Sequence, residues 1–231
     1  MNIQGLQKMT LLDYPGRVAC TVFLGGCDFR CPFCHNFELV AGPLPAAVDE
    51  EEFFAFLKKR QGLLDGVAIT GGEPCLRKDL PEFIERIRAL GYPVKLDTNG
   101  NHPDMLARLL DAGLVDYVAM DIKNSPLKYA RTVGLRSIDL QAISESIALL
   151  MRGGIECEFR TTVVHELHDD GDFEEIGRWI EGAERYFLQP FADRDTVPDR
   201  TLSAPSAAEL ERYRAISSRY VRNVEIRGAD N

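Results

Sequence analysis

Three cysteines, Cys27, Cys31 and Cys34, fall within eight residues of the stretch GGCDFRCPFCHN (25–36). Their C-x3-C-x2-C spacing is too short for mutual disulfides. Three thiolates on such a loop can each take one iron of a cubane cluster, leaving the fourth iron without a cysteine. The same loop with His35 admits a zinc knuckle, although structural zinc sites draw paired ligands from separate segments and His35 stands directly beside Cys34. Ordinary buried thiols are the plain alternative. The glycines before the loop allow the sharp turn that either metal site needs. Cys20 lies in an apolar run and reads as core, Cys75 follows Pro74, and Cys157 has no partner spacing. With no second C-x2-C pair, no auxiliary cluster is expected.

Other chemistry-bearing residues recur at intervals. Thr70-Gly71-Gly72-Glu73-Pro74 combines a glycine pair, which permits close backbone approach to a ligand, with a carboxylate able to accept from an ammonium group. A simple turn before the next helix is the competing reading. Asp97-Thr98-Asn99-Gly100 carries the Asn-Gly turn signal. In Met120-Asp121-Ile122-Lys123, strand alternation puts Asp121 and Lys123 on one face, either as a rim salt bridge or as ligand-binding groups. Arg160, in FRTTVV, could present a forked cation to a carboxylate or serve a buried ion pair. Gln189 and Phe191 close the series. His102, His165 and His168 are scattered and carry no assigned task.

The elements that must position these residues read as strands at Val18–Leu24, Val67–Thr70, Val94–Asp97, Val118–Ile122, Glu158–Val164 and Tyr186–Phe191. Helical segments alternate with them. DEEEFFAFLKKR opens acidic and ends basic, and Leu80–Leu90 sets Leu80, Phe83, Ile84, Ile87 and Leu90 on one face before Gly91. Met105–Ala112, Ile138–Met151, Phe173–Glu181 and Ala207–Tyr220 read similarly. Six strands, each followed by a helix, predict an α/β fold with a parallel sheet and right-handed crossovers. The polar residues then gather at the strand C-termini, where such sheets bind ligands. Six units are too few for a full eight-fold barrel, which leaves a partial barrel or a doubly wound sheet.

The chain has 231 residues, 45% apolar and 27% charged, which suits one globular domain. No apolar run approaches the ~20 residues that span a bilayer. Twenty-seven basic and 36 acidic residues give a net charge of −9, against general binding to nucleic-acid phosphates. The N-terminal MNIQGLQKMTLLDYPGR lacks a leader pattern, so a cytoplasmic location is expected. AGPLPAA (41–47) and ADRDTVPDRTLSAPS (192–206) read as surface connections or mobile loops. The organisation expected is a single domain over 1–231, with its core at 16–191 and a C-terminal appendage at 192–231.

CDFRCPFC, with an aromatic before the last cysteine, resembles the signature of radical S-adenosylmethionine (SAM) enzymes. The continuation CHN and the upstream LLDYPGR resemble the activating enzymes of glycyl radical enzymes. Within that group, TLLDYPGRVACTVFLGGCDFRCPFCHN is most similar to activating proteins of anaerobic ribonucleoside-triphosphate reductase. The likeness is densest over 10–36 and returns as separated motifs to about residue 191. It implies a partial (β/α)6 barrel of parallel strands with a short C-terminal extension. It implies a 4Fe-4S cluster on Cys27, Cys31 and Cys34, and SAM on its open iron. Phe33, Gly71, Gly72, Glu73, Pro74, Asp97, Thr98, Asn99, Asp121, Lys123, Arg160 and Gln189 become cofactor-binding residues, with Gly71–Glu73 at the methionine amino group. By likeness to the formate-lyase activators, Asp97, Thr98 and Met120 would hold a monovalent cation beside the SAM carboxylate.

The chemistry so implied is reductive cleavage of SAM to methionine and a 5′-deoxyadenosyl radical, which takes a hydrogen atom from one backbone glycine of a partner enzyme. The electron would come from an external donor such as a flavodoxin or ferredoxin. Formate-lyase activators carry a residue between the Gly and Arg of their D-x-P-G motif, whereas Gly16 and Arg17 are adjacent here, which favours the reductase as partner. The rivals are an activase for another glycyl radical enzyme, a radical enzyme acting on a small molecule such as a deazapurine synthase, and a zinc-stabilised binding module. Neither nucleic acid nor membrane is expected as a partner.

Overall fold

The computed structural model describes residues 1–40 and 45–228, so the expectation for AGPLPAA (41–47) lies in part outside the described residues. The elements are β1 (Ile3–Thr10), β2 (Ala19–Leu24), α1 (Phe37–Val40), α2 (Glu50–Lys59), β3 (Gly66–Gly71), α3 (Leu80–Ala89), β4 (Val94–Thr98), α4 (Pro103–Asp111), β5 (Tyr117–Asp121), α5 (Tyr129–Thr132), α6 (Leu140–Met151), β6 (Glu156–Val163), α7 (Asp170–Trp179), β7 (Arg185–Pro190), α8 (Ala207–Ser217) and β8 (Asn223–Ile226). A 3-10 turn spans Pro74–Leu76. The fold is α/β, with one eight-stranded sheet ordered β1 to β8. β1 runs antiparallel to β2, while β2–β3, β3–β4, β6–β7 and β7–β8 are parallel.

The six expected parallel strands are β2 to β7. Two edge strands escaped the sequence reading. β1 has register shifts near Gly5 and between Gln7 and Thr10, which break the period of two by which strands are recognised. β8 has only four residues within the expected C-terminal appendage.

The described residues divide into two compact units, 1–28, 38–98 and 104–118 in one, and 29–37, 99–103 and 119 onward in the other. In the first, Asp49 caps α2 by accepting from the Glu51 and Glu52 amides at 2.9 and 3.2 Å. Phe53 and Phe54 then meet Phe83 of α3, with ring centroids 5.3 to 5.5 Å apart. The LLDYPGR stretch folds as a turn. Asp13 accepts the Thr21 hydroxyl at 2.6 Å, and the buried Tyr14 ring stacks beneath the Arg17 guanidinium and near Tyr117.

In the second unit, α7 and α8 open with capping boxes at Asp169 and Ser206. They meet through a stacked Phe173–Tyr213 pair at 4.2 Å. β8 is fixed to the sheet from its C-terminal side. Arg227 donates to both Glu158 oxygens at 3.0 and 3.2 Å and lies 3.5 Å over the Phe187 ring.

Glu158 is 1% exposed. Removing this two-pronged ion pair from a buried carboxylate is destabilising, so Arg227→Ala should cost about 3 kcal/mol. Urea unfolding should show the loss as a lower midpoint with an unchanged slope, and adding Glu158→Gln to the variant should recover part of it.

Candidate functional site

The first unit contributes the ends of β2, β3 and β4. β2 runs into Gly25-Gly26-Cys27, and Gly26 takes a φ of +94°, open to glycine without strain. β3 runs into Gly71-Gly72. The Gly72 amide donates to Leu24 O at 2.9 Å and the Glu73 amide to Gly26 O at 2.7 Å, which laces the two strand ends together. A Cβ on Gly72 would sit 2.0 Å from Gly26 O and 3.3 Å from Cys27 Cβ. The glycine pair is therefore a steric condition for placing Cys27.

Glu73 is 1% exposed. Its Oε1 accepts from the Cys75 amide at 2.9 Å and from Thr98 Oγ1 at 2.8 Å, so it caps the Pro74 turn and ties it to β4. Burial, then the Glu73 charge, push the Cys75 thiol well above its ordinary value, and it behaves as core. On β4, Asp97 accepts from the buried Lys95 ammonium.

The second unit holds the rest of the cysteine loop. Phe29, Cys31 and Phe33 are buried, and the Cys34 amide donates to Cys31 O at 3.1 Å, closing a turn. The loop is pinned on one side where the Arg30 amide donates to Val133 O at 2.8 Å. There, a Cβ on Gly134 would fall 2.2 Å from Arg30 O. It is pinned on the other by the segment after β7. The Asp199 amide donates to Pro32 O at 3.1 Å and Thr196 Oγ1 to His35 O at 2.7 Å. His35 Nε2 meets Ala192 O at 2.7 Å while its ring stacks on Phe191. The 192–206 stretch, expected as a surface connection or mobile loop, is thus fastened over residues 192–199, because its backbone and hydroxyl groups find partners on the cysteine loop.

The end of β5 delivers Asp121, and Lys123 follows two residues beyond it. Asp121 Oδ1 accepts Arg160 Nε at 2.9 Å and Oδ2 accepts Lys123 Nζ at 2.8 Å. Burial favours the protonated acid, but Arg160 and then Lys123 outweigh it and hold the Asp121 carboxyl at about 2. Burial pushes the Cys31 thiol up to about 11, with Lys123 opposing and Cys34 and Asp121 adding to the rise. Burial disfavours the Lys123 charge, yet Asp121 and Cys31 raise its pKa overall. Asn99 Oδ1 accepts from the Asn101 amide at 2.9 Å. Met120 is fully buried with its methyl filling the space beside Gly100. Gln189 is half-buried on β7, in register with Thr162.

Among the described residues no group of three or more Cys, His, Asp or Glu side chains is placed to hold one metal ion. A cubane asks for one thiolate per iron. The monovalent-cation expectation meets an obstacle of another kind: Lys95 already occupies Asp97. Sequence reading missed Lys95, although a lysine two residues before Asp97 in a buried strand was a legible signal. It also missed Thr196 and Asp199, which bond to backbone atoms and leave no motif.

The Radical SAM superfamily profile matches residues 21–180. This chain belongs to the radical SAM superfamily. An inferred glycyl-radical enzyme activating enzyme of Methanocaldococcus jannaschii is 33% identical over 234 residues, covering 97% of this chain and 95% of its own. The 7-carboxy-7-deazaguanine synthase of Thermococcus kodakarensis is 30% identical over 172 residues, 65% of this chain and 66% of its own. In fold, the solved structure of Streptococcus suis SuiB superposes with a TM-score of 0.69 at 14% identity, over 91% of this chain and 49% of that one. Radical SAM membership implies a 4Fe-4S cluster and SAM. The residues fit: three thiols share one loop, and Gly72 lets the backbone before Cys27 close up with no side chain in the way.

Gly72→Ala should displace the cysteine loop, so that iron bound after anaerobic reconstitution falls by more than half while Gly91→Ala leaves it unchanged. Gly91 has a positive φ, +87°, which Gly72 does not, and nothing lies within 4 Å of its Cβ position, so its substitution carries backbone strain of about 1 kcal/mol without a clash. Iron and sulfide analysis reads the difference.

Proposed function

We propose that this chain is a glycyl radical enzyme activating enzyme whose partner is anaerobic ribonucleoside-triphosphate reductase. The observation that carries the reading is the end-to-end 33% identity with the Methanocaldococcus protein, together with CHN after the cysteine signature and the LLDYPGR turn before it. The whole chain acts as one radical SAM domain in the cytoplasm, with a flavodoxin or ferredoxin as electron donor.

Cys27, Cys31 and Cys34 would hold three irons of a 4Fe-4S cluster, which with SAM would supply the one-electron reduction that splits SAM and allows a glycine Cα hydrogen of the partner to be taken. The protein's part is to position and to keep water out. Gly71 and Gly72 let this strand end close against Leu24 and Gly26, where their backbone groups would meet the methionine amino end beside the Pro74 turn set by Glu73. Lys123 and Arg160, both gathered by Asp121, give fixed positive charge for the methionine carboxylate, arranged before the ligand arrives. Phe33, Asn99 and Gln189 face the remainder of the cosubstrate.

Anaerobic incubation of the reduced, reconstituted chain with SAM and the reductase polypeptide should give the doublet electron paramagnetic resonance signal of a glycyl radical. Changing the acceptor glycine to alanine should abolish the signal. Radical formation on formate lyase but not on the reductase would keep the chemistry and change the partner. Conversion of a deazaguanine precursor with neither would transfer the reading to small-molecule chemistry.

A further inference from the structure

The monovalent cation implied at Asp97, Thr98 and Met120 does not suit the side chains found there. Lys95 and Asp97 share one face of β4, and Lys95 Nζ donates to Asp97 Oδ1. The Lys95 side chain is 3% exposed and that of Asp97 18%. The Thr98 hydroxyl lies on the opposite face of the strand and donates to Glu73 Oε1. Met120 offers a buried thioether, a soft donor poorly matched to an alkali ion. A potassium ion brought to Asp97 would meet an ammonium of equal charge already seated on the carboxylate. The ammonium loses its hydration once, on folding, whereas a free ion would shed its water at every binding event.

We propose that Lys95 is a positioning residue that takes the place of the monovalent cation. Its ammonium fixes the Asp97 carboxylate and supplies the positive charge at this strand end, so SAM binding by this chain does not respond to potassium or sodium. The inference rests on reading Asp97 and Thr98 as part of the SAM site.

The test uses the full chain, reconstituted anaerobically. SAM affinity is measured by equilibrium dialysis in potassium, sodium and choline chloride at one ionic strength, alongside the thermal midpoint of the SAM-free protein in the same salts. Wild type should give one affinity and one midpoint throughout. Lys95→Met should lose SAM affinity in choline chloride by about 5- to 150-fold, the range of a two-site coupling. With the Asp97 carboxylate vacated, potassium or sodium should restore part of that loss and raise the midpoint before SAM is added, while Lys95→Arg should behave as wild type. A saturable gain for the wild type in potassium or sodium overturns the inference, as does a Lys95→Met protein indifferent to the salt. If Lys95→Met does not fold, the wild-type series and Lys95→Arg decide. Failure to bind SAM in any salt would remove the site reading, and the midpoints of the SAM-free protein would still decide on Lys95.

Discussion

Gly72 passes so near the Gly26 carbonyl that no side chain larger than hydrogen fits between them, and the amide after it donates to that same carbonyl at 2.7 Å. This close approach joins the end of β3 to the end of β2 one residue before Cys27. It fixes the start of the cysteine loop through backbone atoms, which sequence change outside the glycines disturbs little. Glu73 extends the same tie to β4 through the Thr98 hydroxyl. In the proposed site this loop would hold three irons at fixed spacing and needs such rigid footing, since misplacement of about 1 Å is enough to impair catalysis.

Charge is arranged with similar economy. Asp121 gathers Arg160 and Lys123, leaving a local excess of positive charge in a chain whose net charge is −9. Burial raises the Cys31 thiol to about 11, so in the proposed site metal loading would be coupled to loss of the thiol proton. Lys123 and Lys95 are thus two buried or half-buried ammonium groups with separate carboxylate partners.

Much of this was legible in the sequence because its signals are periodic or strictly spaced. β2 to β7 announce themselves by short apolar runs, α2 by its acidic start and basic end, and α3 by its apolar face before Gly91. The cysteine loop is a spacing, and the Asp121–Lys123 pair follows from strand alternation. What escaped depends on contacts without period. β1 is interrupted by register shifts, β8 is four residues long, and the hold of Thr196 and Asp199 on the cysteine loop runs through carbonyl oxygens that every residue possesses. Lys95 is different in kind: its position was readable, but its pairing with Asp97 required the side chains.

The most direct measurement is 5′-deoxyadenosine formed by the anaerobically reconstituted, dithionite-reduced chain given SAM, compared between wild type and Cys31→Ala. The expected result is 5′-deoxyadenosine and methionine in equal amounts from the wild type, and neither above background from the variant. An iron-loaded wild-type protein that forms no 5′-deoxyadenosine, or a variant that forms as much, would contradict radical SAM chemistry at this cysteine loop.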